Sequence, residues 1–301
     1  MNPADRPYPA RPSHPPRADH WQLRTRSLPF GPLPAVMGIL NVTPDSFSDG
    51  GRYLEAAAAV DRGLAMAAAG ATILDVGGES TRPYAEPVDV DEELRRVIPV
   101  VAALCEQAAV PVSIDTSKPR VAREALRAGA EIVNDVTAAR DPAMVAAALD
   151  FSAAVCVMHM QGEPRTMQVN PEYGDVVGEV AAFLARRCQA LRAGGVAAGR
   201  IAVDPGIGFG KRLEHNLALL RAAGRLHELG HPLVVGHSRK RFIGEVLGRP
   251  EADRTAGTVG VALALARRGV QVLRVHDVAE VCQAFTLFEA AGGLELEEEG
   301  R

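Results

Sequence analysis

Along most of the sequence, short β-branched apolar runs alternate with Ala-, Leu- and Arg-rich stretches of helical period. That is the pattern of strands separated by amphipathic helices. The runs are Val36 to Leu40, Thr72 to Val76, Val112 to Asp115, Glu131 to Asn134, Ala154 to Met158, Ile201 to Asp204, Leu233 to Val235 and Val270 to Arg274. They recur every 34 residues or so, about enough for a strand, a loop, a helix and a return loop. Eight such units without an interrupting domain predict an α/β fold, a (β/α)8 TIM barrel in a single domain. A doubly wound open sheet uses the same alternation and is the competing arrangement. Between the runs, Glu55 to Ala69 reads as a helix stopped by Gly70, and Val121 to Ala128 repeats the pattern before Gly129.

The two ends depart from this pattern. Residues 1 to 28 are rich in Pro and Arg and lack apolar periodicity, which predicts a flexible or extended arm. Residues 29 to 292 would form the barrel, and residues 293 to 301 an acidic tail. Nearly half of the 301 residues are apolar, enough to bury a substantial core. A net charge of -4 and few aromatic residues give neither a polyanion-binding surface nor a base-stacking platform, so no nucleic-acid partner is expected. Cys105, Cys156, Cys188 and Cys282 are scattered with no C-x-x-C pair, which fits a reducing cytoplasm. No run approaches a membrane span, and the Pro-rich start lacks the apolar core of a secretory signal. A cytoplasmic protein with no membrane partner is the expectation.

Function enters at the ends of the runs. They finish in Asn41, Asp75 with Glu79 to Arg82, Asp115, Asn134 with Asp135, Met158 with His159, Asp204, Ser238 to Lys240, and Arg274 with His276 and Asp277. In a parallel barrel all strand C-termini open on one face, so these groups converge on one cavity. Helix capping explains any one of them, but not eight together. Asp115 and Asp204 end apolar strands, where a partly buried carboxylate needs donors. A flat heterocycle with an amino group and ring N–H groups supplies them in pairs. Asn134 can both donate to and accept from the same ring.

Arg82, Arg274, His276 and Asn41 form a second set, suited to phosphate oxygens and a hydrated divalent cation. Magnesium keeps several waters and takes few protein ligands, so one Asn without a carboxylate cage is compatible with it. The three lysines, Lys118, Lys211 and Lys240, each follow a predicted strand, where an ammonium could meet a ligand. Gly206 to Lys211 is not a Walker loop, because its spacing differs and Arg212 replaces the hydroxyl residue. Its glycines imply a sharp turn or a close backbone approach to a ligand. No G-x-S-x-G, H-E-x-x-H or C-x-x-C motif points to a covalent hydrolase or a metalloprotease.

In order, these segments closely resemble the dihydropteroate synthase family. The matching stretches are Asn41 to Gly51, Asp75 to Pro83, Asp115-Thr116, Asn134-Asp135, Met158 to Gly162, Asp204 to Lys211, Ser238 to Lys240 and Arg274 to Val278. The resemblance covers about residues 35 to 290 and implies a barrel enzyme of folate biosynthesis. That enzyme condenses 6-hydroxymethyl-7,8-dihydropterin diphosphate with 4-aminobenzoate, releasing pyrophosphate. By residue, it implies a pterin held by Asp115, Asn134, Asp204 and Lys240 and lined by Met158 and Phe209, with Arg274 over the ring. It further implies a diphosphate with Mg2+ at Asn41, Thr81, Arg82, Arg274 and His276, Asn41 being the metal ligand. The aminobenzoate would meet Phe47, Pro83 and Ser238 under two mobile loops. Asp115, Lys240, Arg274 and His276 would then carry the catalysis. A homodimer and sensitivity to sulfonamides are implied as well.

The chain departs from the family where Tyr84 stands in place of the common Gly, which removes conformational freedom from a loop expected to move. Two other readings share the pterin pocket. A methyltetrahydrofolate-corrinoid methyltransferase has no use for a diphosphate site, so Arg82, Arg274 and His276 argue against it. A non-catalytic pterin-binding paralogue would lack motif residues, and none of the set is missing.

Overall fold

The computed structural model describes residues 17–43, 51–79, 87–162 and 166–294, with the side chains of 51–55 left aside. It opens with an antiparallel hairpin, β1 (His20–Gln22) and β2 (Ser27–Pro29). Eight parallel strands follow: β3 (Ala35–Asn41), β4 (Ile73–Gly77), β5 (Val112–Asp115), β6 (Ile132–Asp135), β7 (Ala154–Met158), β8 (Ile201–Asp204), β9 (Val234–Gly236) and β10 (Val272–Val275). The helices between and after them are α1 (Gly51–Ala68), α2 (Val90–Gln107), α3 (Pro119–Arg127), α4 (Pro142–Asp150), α5 (Val176–Ala193), α6 (Leu213–Arg221), α7 (Arg241–Val246), α8 (Thr255–Ala266) and α9 (Val278–Ala290).

Strand order decides between barrel and open sheet. Neighbours run β8-β7-β6-β5-β4-β3-β10-β9. The two ends then meet, because Val203 bridges Leu233 in parallel and its N–H donates to Pro232 O at 2.9 Å. The sheet therefore closes, and the (β/α)8 barrel is confirmed. Helix punctuation follows the sequence closely, with α1 and α3 stopping just before Gly70 (φ 107°) and Gly129 (φ 115°).

Each strand residue faces either the axis or the helices, in strict alternation. Outward positions such as Val36, Leu74, Val133, Val155, Val203 and Leu273 pack under the helices in the large outer core. Inward positions near the strand starts (Met37, Ile73, Ile132, Ala154, Val234 and Val272) form a smaller inner core. Trp21 and Leu23 join that inner core, fully buried, and Trp21 Nε1 donates to Arg200 O at 3.0 Å. The hairpin therefore stops the N-terminal mouth of the barrel. This corrects the expected arm over residues 17 to 28, which periodicity missed because a two-residue plug has none.

Candidate active site

The floor is apolar and plugged, so the opposite mouth is where polar groups can gather. On β4, Ile73 points inward, and alternation sends Asp75 and Gly77 inward above it. Registers set Asp75 beside Ser113, Gly77 beside Asp115, Asp115 beside Asn134, and Met158 beside Asp204. Arg274 follows inward-facing Val272 by two positions and lies level with Gly236. The same period-two rule that buries the core thus aims five polar strand ends at one axis.

Arg274 is the electrostatic centre. Its Nε donates to Asp75 Oδ2 at 2.6 Å, and a terminal nitrogen donates to Asp115 Oδ2 at 2.5 Å. Asn134 Nδ2 donates to the same Asp75 oxygen at 3.1 Å. Asp75 Oδ1 is buried with no protein donor among the described residues, which leaves a spare acceptor low in the site. Burial pushes Asp115 up to about 7, opposed by Arg274 and reinforced by Asp75, Glu93 and Asp135. Burial also works against the Arg274 charge, but Asp75 and Asp115 outweigh it and hold the guanidinium above its ordinary range.

Asp204 lies opposite. Its Oδ1 accepts from Gly206 N at 2.7 Å, so part of the carboxylate does cap the following turn. Burial raises its pKa, with Lys240 the principal opposing charge. Lys240 is pushed down to about 8 by burial, against the pull of Asp204. Its Nζ donates to Ile207 O and stands 4.5 Å from the centre of the Phe209 ring. Phe209 reaches that position through a turn that only glycine permits. Gly206 has φ 68°, and a Cβ there would lie 1.9 Å from His159 O. The close approach inferred from the sequence is thus to the chain's own backbone.

At the rim, Ser238 Oγ accepts from His276 N at 3.1 Å and lies 3.1 Å from His276 Nδ1. Asn41 ends β3 level with Gly77. Among the described residues no group of three or more His, Cys, Asp or Glu is placed to hold a metal. A cation that arrives on a phosphate and keeps most of its water asks for no such group, and one neutral amide oxygen suits it.

Comparison with known proteins gives the fold and site a lineage. The profile of the family described as "Pterin binding enzyme" matches residues 37–276. A dihydropteroate synthase of Escherichia coli K12 is 47% identical over 257 residues, 85% of this chain and 91% of the relative. The Xanthomonas albilineans dihydropteroate synthase, solved with 4-aminobenzoic acid, is 49% identical with a TM-score of 0.84, covering 91% of this chain and 98% of that one. The Yersinia pestis enzyme, solved with a sulfonamide drug complex, is 43% identical at the same TM-score, covering 91% and 99%. This chain belongs to the dihydropteroate synthases, within the pterin binding enzymes.

Most of the residues singled out from the sequence come together at this mouth of the barrel. Asp115, Asn134, Met158, Asp204 and Arg274 lie on adjoining inward positions, with Phe209, Lys240, Ser238 and His276 on the loops just above. Phe47, Thr81, Arg82, Pro83 and Tyr84 lie outside the described residues. The expectation for the lysines needs correction. Only Lys240 enters the site. Lys118 Nζ is held by Glu79 Oε2 at 2.6 Å and the fully buried Glu93 Oε2 at 2.5 Å. Lys211 is buried and bonds Phe209 O at 2.9 Å and His159 Nδ1 at 3.0 Å, tying two loops together. In a chain so poor in lysine, position after a strand marks a structural cation as readily as a ligand. Sequence reasoning also gave Asp75 no role beyond its strand end. Its signal was available, a lone carboxylate two residues after an inward Ile and two before Gly77.

Proposed function

We propose that this chain condenses 6-hydroxymethyl-7,8-dihydropterin diphosphate with 4-aminobenzoate, as a dihydropteroate synthase. The observation that carries the reading is the buried Arg274–Asp75–Asp115 cluster with Asn134, facing Asp204 and Lys240 across the barrel mouth. A pterin edge offers an amino group and ring N–H donors that match the acceptors of Asp115, Asn134 and Asp204, while Lys240 can donate to ring heteroatoms. Met158 and Phe209 supply apolar walls for the flat ring. Arg274 and His276, together with Asn41, Thr81 and Arg82, would hold the diphosphate. Phe47, Pro83 and Ser238 would receive the aminobenzoate.

The chemistry follows from charge. The bond between the pterin methylene and the diphosphate oxygen breaks, and its electron pair leaves with pyrophosphate. The cation left at the methylene is spread over the pterin ring. Arg274 and His276 favour the departing negative charge, and Asp115 favours the positive ring. The neutral arylamine attacks the methylene and afterwards loses its proton to solvent, so no protein nucleophile is needed. Mg2+ bound at Asn41 would add further neutralisation of the diphosphate.

A homodimer is part of this reading. Helix α8 contains no charged residue and exposes Ala256, Gly260 and Ala264 on one side. Val246, Leu247 and Leu287 are also more than half exposed, at 58%, 51% and 71%. A second copy of the chain would cover such a face, and sedimentation would show a dimer. The pterin assignment is tested by titrating the protein with the pterin diphosphate and following pterin fluorescence. Asn134→Ala and Asp204→Asn should each weaken binding at least tenfold while leaving the chain folded. Unchanged affinity in both variants would overturn the assignment.

A further inference from the structure

Between the two functional residues of the β9 loop, Ser238 and Lys240, lies Arg239, to which no catalytic role attaches. Its backbone is left-handed, φ 56°, a conformation that a non-glycine residue holds only when its surroundings enforce it. Three contacts do so. Arg239 N–H donates to Thr258 Oγ1 at 3.0 Å. Arg254 donates to Arg239 O at 2.9 Å. The guanidinium forks onto Asp277, with Nε donating to Oδ2 at 3.0 Å and a terminal nitrogen donating to Oδ1.

Both partners of this fork adjoin the site without entering it. Asp277 follows His276 directly and is buried. It also precedes the first residue of α9, where a carboxylate ordinarily caps the helix, yet its side chain makes no capping bond. Its oxygens are spent on Arg239 instead. Thr258, wholly buried in α8, completes the arrangement from the other side. Its hydroxyl accepts from Arg239, and its carbonyl lies 3.0 Å from His237 Nε2. One residue thus grips both neighbours of Ser238. Ser238 in turn meets His276 through two 3.1 Å contacts.

We propose that Arg239, Asp277 and Thr258 form a brace outside the pocket that fixes the β9 loop, carrying Ser238 and Lys240, against the end of β10, carrying Arg274 and His276. Arg239 and Asp277 are positioning residues. Their fork sets how far the groups assigned to the diphosphate lie from those assigned to the pterin and aminobenzoate. The inference rests on the proposed reaction for its role, but the brace itself is a geometric claim. Placement errors of about an ångström are enough to slow a positioned reaction a hundredfold.

The test compares Arg239→Gln, Arg239→Lys, Asp277→Asn and the double variant R239Q/D277N with the parent chain. Turnover is measured at saturating substrates, affinity for inorganic pyrophosphate by calorimetry, and the folded fraction by urea unfolding. The brace predicts that kcat per folded molecule falls about 10- to 100-fold in each single variant. The double variant should be no worse than the poorer single variant, because both remove the same fork. Arg239→Lys should recover little, since an ammonium cannot bind both oxygens. Thr258→Val should also lower kcat, with Thr258→Ser recovering it. Turnover within twofold of the parent in all single variants, or losses that multiply in the double variant, would overturn the brace. If the parent itself made no dihydropteroate, the proposed reaction would fail. Pyrophosphate affinity would then decide the brace alone, a tenfold loss supporting it and no change refuting it.

Discussion

Asp115 carries a proton cost that Asp115→Asn should expose. In the folded chain burial holds this carboxyl at about 7, whereas in the unfolded chain it titrates near 3.9. Between those values the folded state binds more protons than the unfolded state. A raised carboxyl pKa therefore contributes stability that is fully present below the unfolded value, near pH 4, and is lost as pH climbs through 7. Each unit of pH removes about 1.4 kcal/mol, and the whole interval about 4 kcal/mol. At pH 4 the protonated carboxyl and the amide are close to equivalent. By pH 8 the variant should be the more stable protein by about 4 kcal/mol, the attraction of Arg274 for the carboxylate being already contained in the folded value of about 7. Urea unfolding of both proteins at half-unit steps from pH 4.5 to 8 measures this difference. A difference that stays flat with pH, or that favours the parent increasingly as pH rises, would refute the reasoning. Activity should move the other way. An amide cannot stabilise the positive ring, so kcat/KM should fall by about 10² to 10³. The site would then be an example of function maintained against stability.

Other parts of the account can be tested independently. Trp21→Ala empties the centre of the hairpin plug and removes the bond to Arg200 O, so urea unfolding should show a loss of about 3 to 5 kcal/mol. A loss below about 1 kcal/mol would mean the hairpin does not seal the barrel. Lys118→Met leaves Glu93 buried without its cation and should cost about 3 kcal/mol with little change in the affinity for the pterin diphosphate. A selective loss of that affinity would return Lys118 to the binding site. If the carbon–oxygen bond breaks ahead of amine attack, pyrophosphate should form slowly from the pterin diphosphate without aminobenzoate. Its complete absence would favour coupled displacement. Tyr84→Gly should alter sulfonamide inhibition constants, and identical constants in both proteins would remove any role for Tyr84 in analogue sensitivity.

The periodicity of the sequence carried the fold because a barrel is eight repeats of one local pattern. Each strand was short, β-branched and followed by a helix with its own stop, as at Gly70 and Gly129. The inner and outer faces were legible for the same reason, since alternation along Ile73, Asp75 and Gly77 is a property of the backbone. What escaped was non-repeating. Trp21 and Leu23 plug the barrel from a Pro- and Arg-rich stretch whose composition reads as a free arm. Lys118 and Lys211 stand after strands as Lys240 does, and only three-dimensional neighbours separate them. Glu93 and His159 lie far from their lysines in sequence, and nothing local marks the pairs. Asp277 looks like an ordinary helix cap until Arg239 is seen to occupy it.

The central claim is that the converging strand ends join a pterin to an arylamine. The direct measurement is to incubate the folded chain with 6-hydroxymethyl-7,8-dihydropterin diphosphate, labelled 4-aminobenzoate and Mg2+, and to quantify labelled dihydropteroate and pyrophosphate together. Equal amounts of the two products, abolished when the pterin diphosphate is omitted, are the predicted result. Folded protein that binds the pterin diphosphate yet forms no labelled dihydropteroate would contradict it.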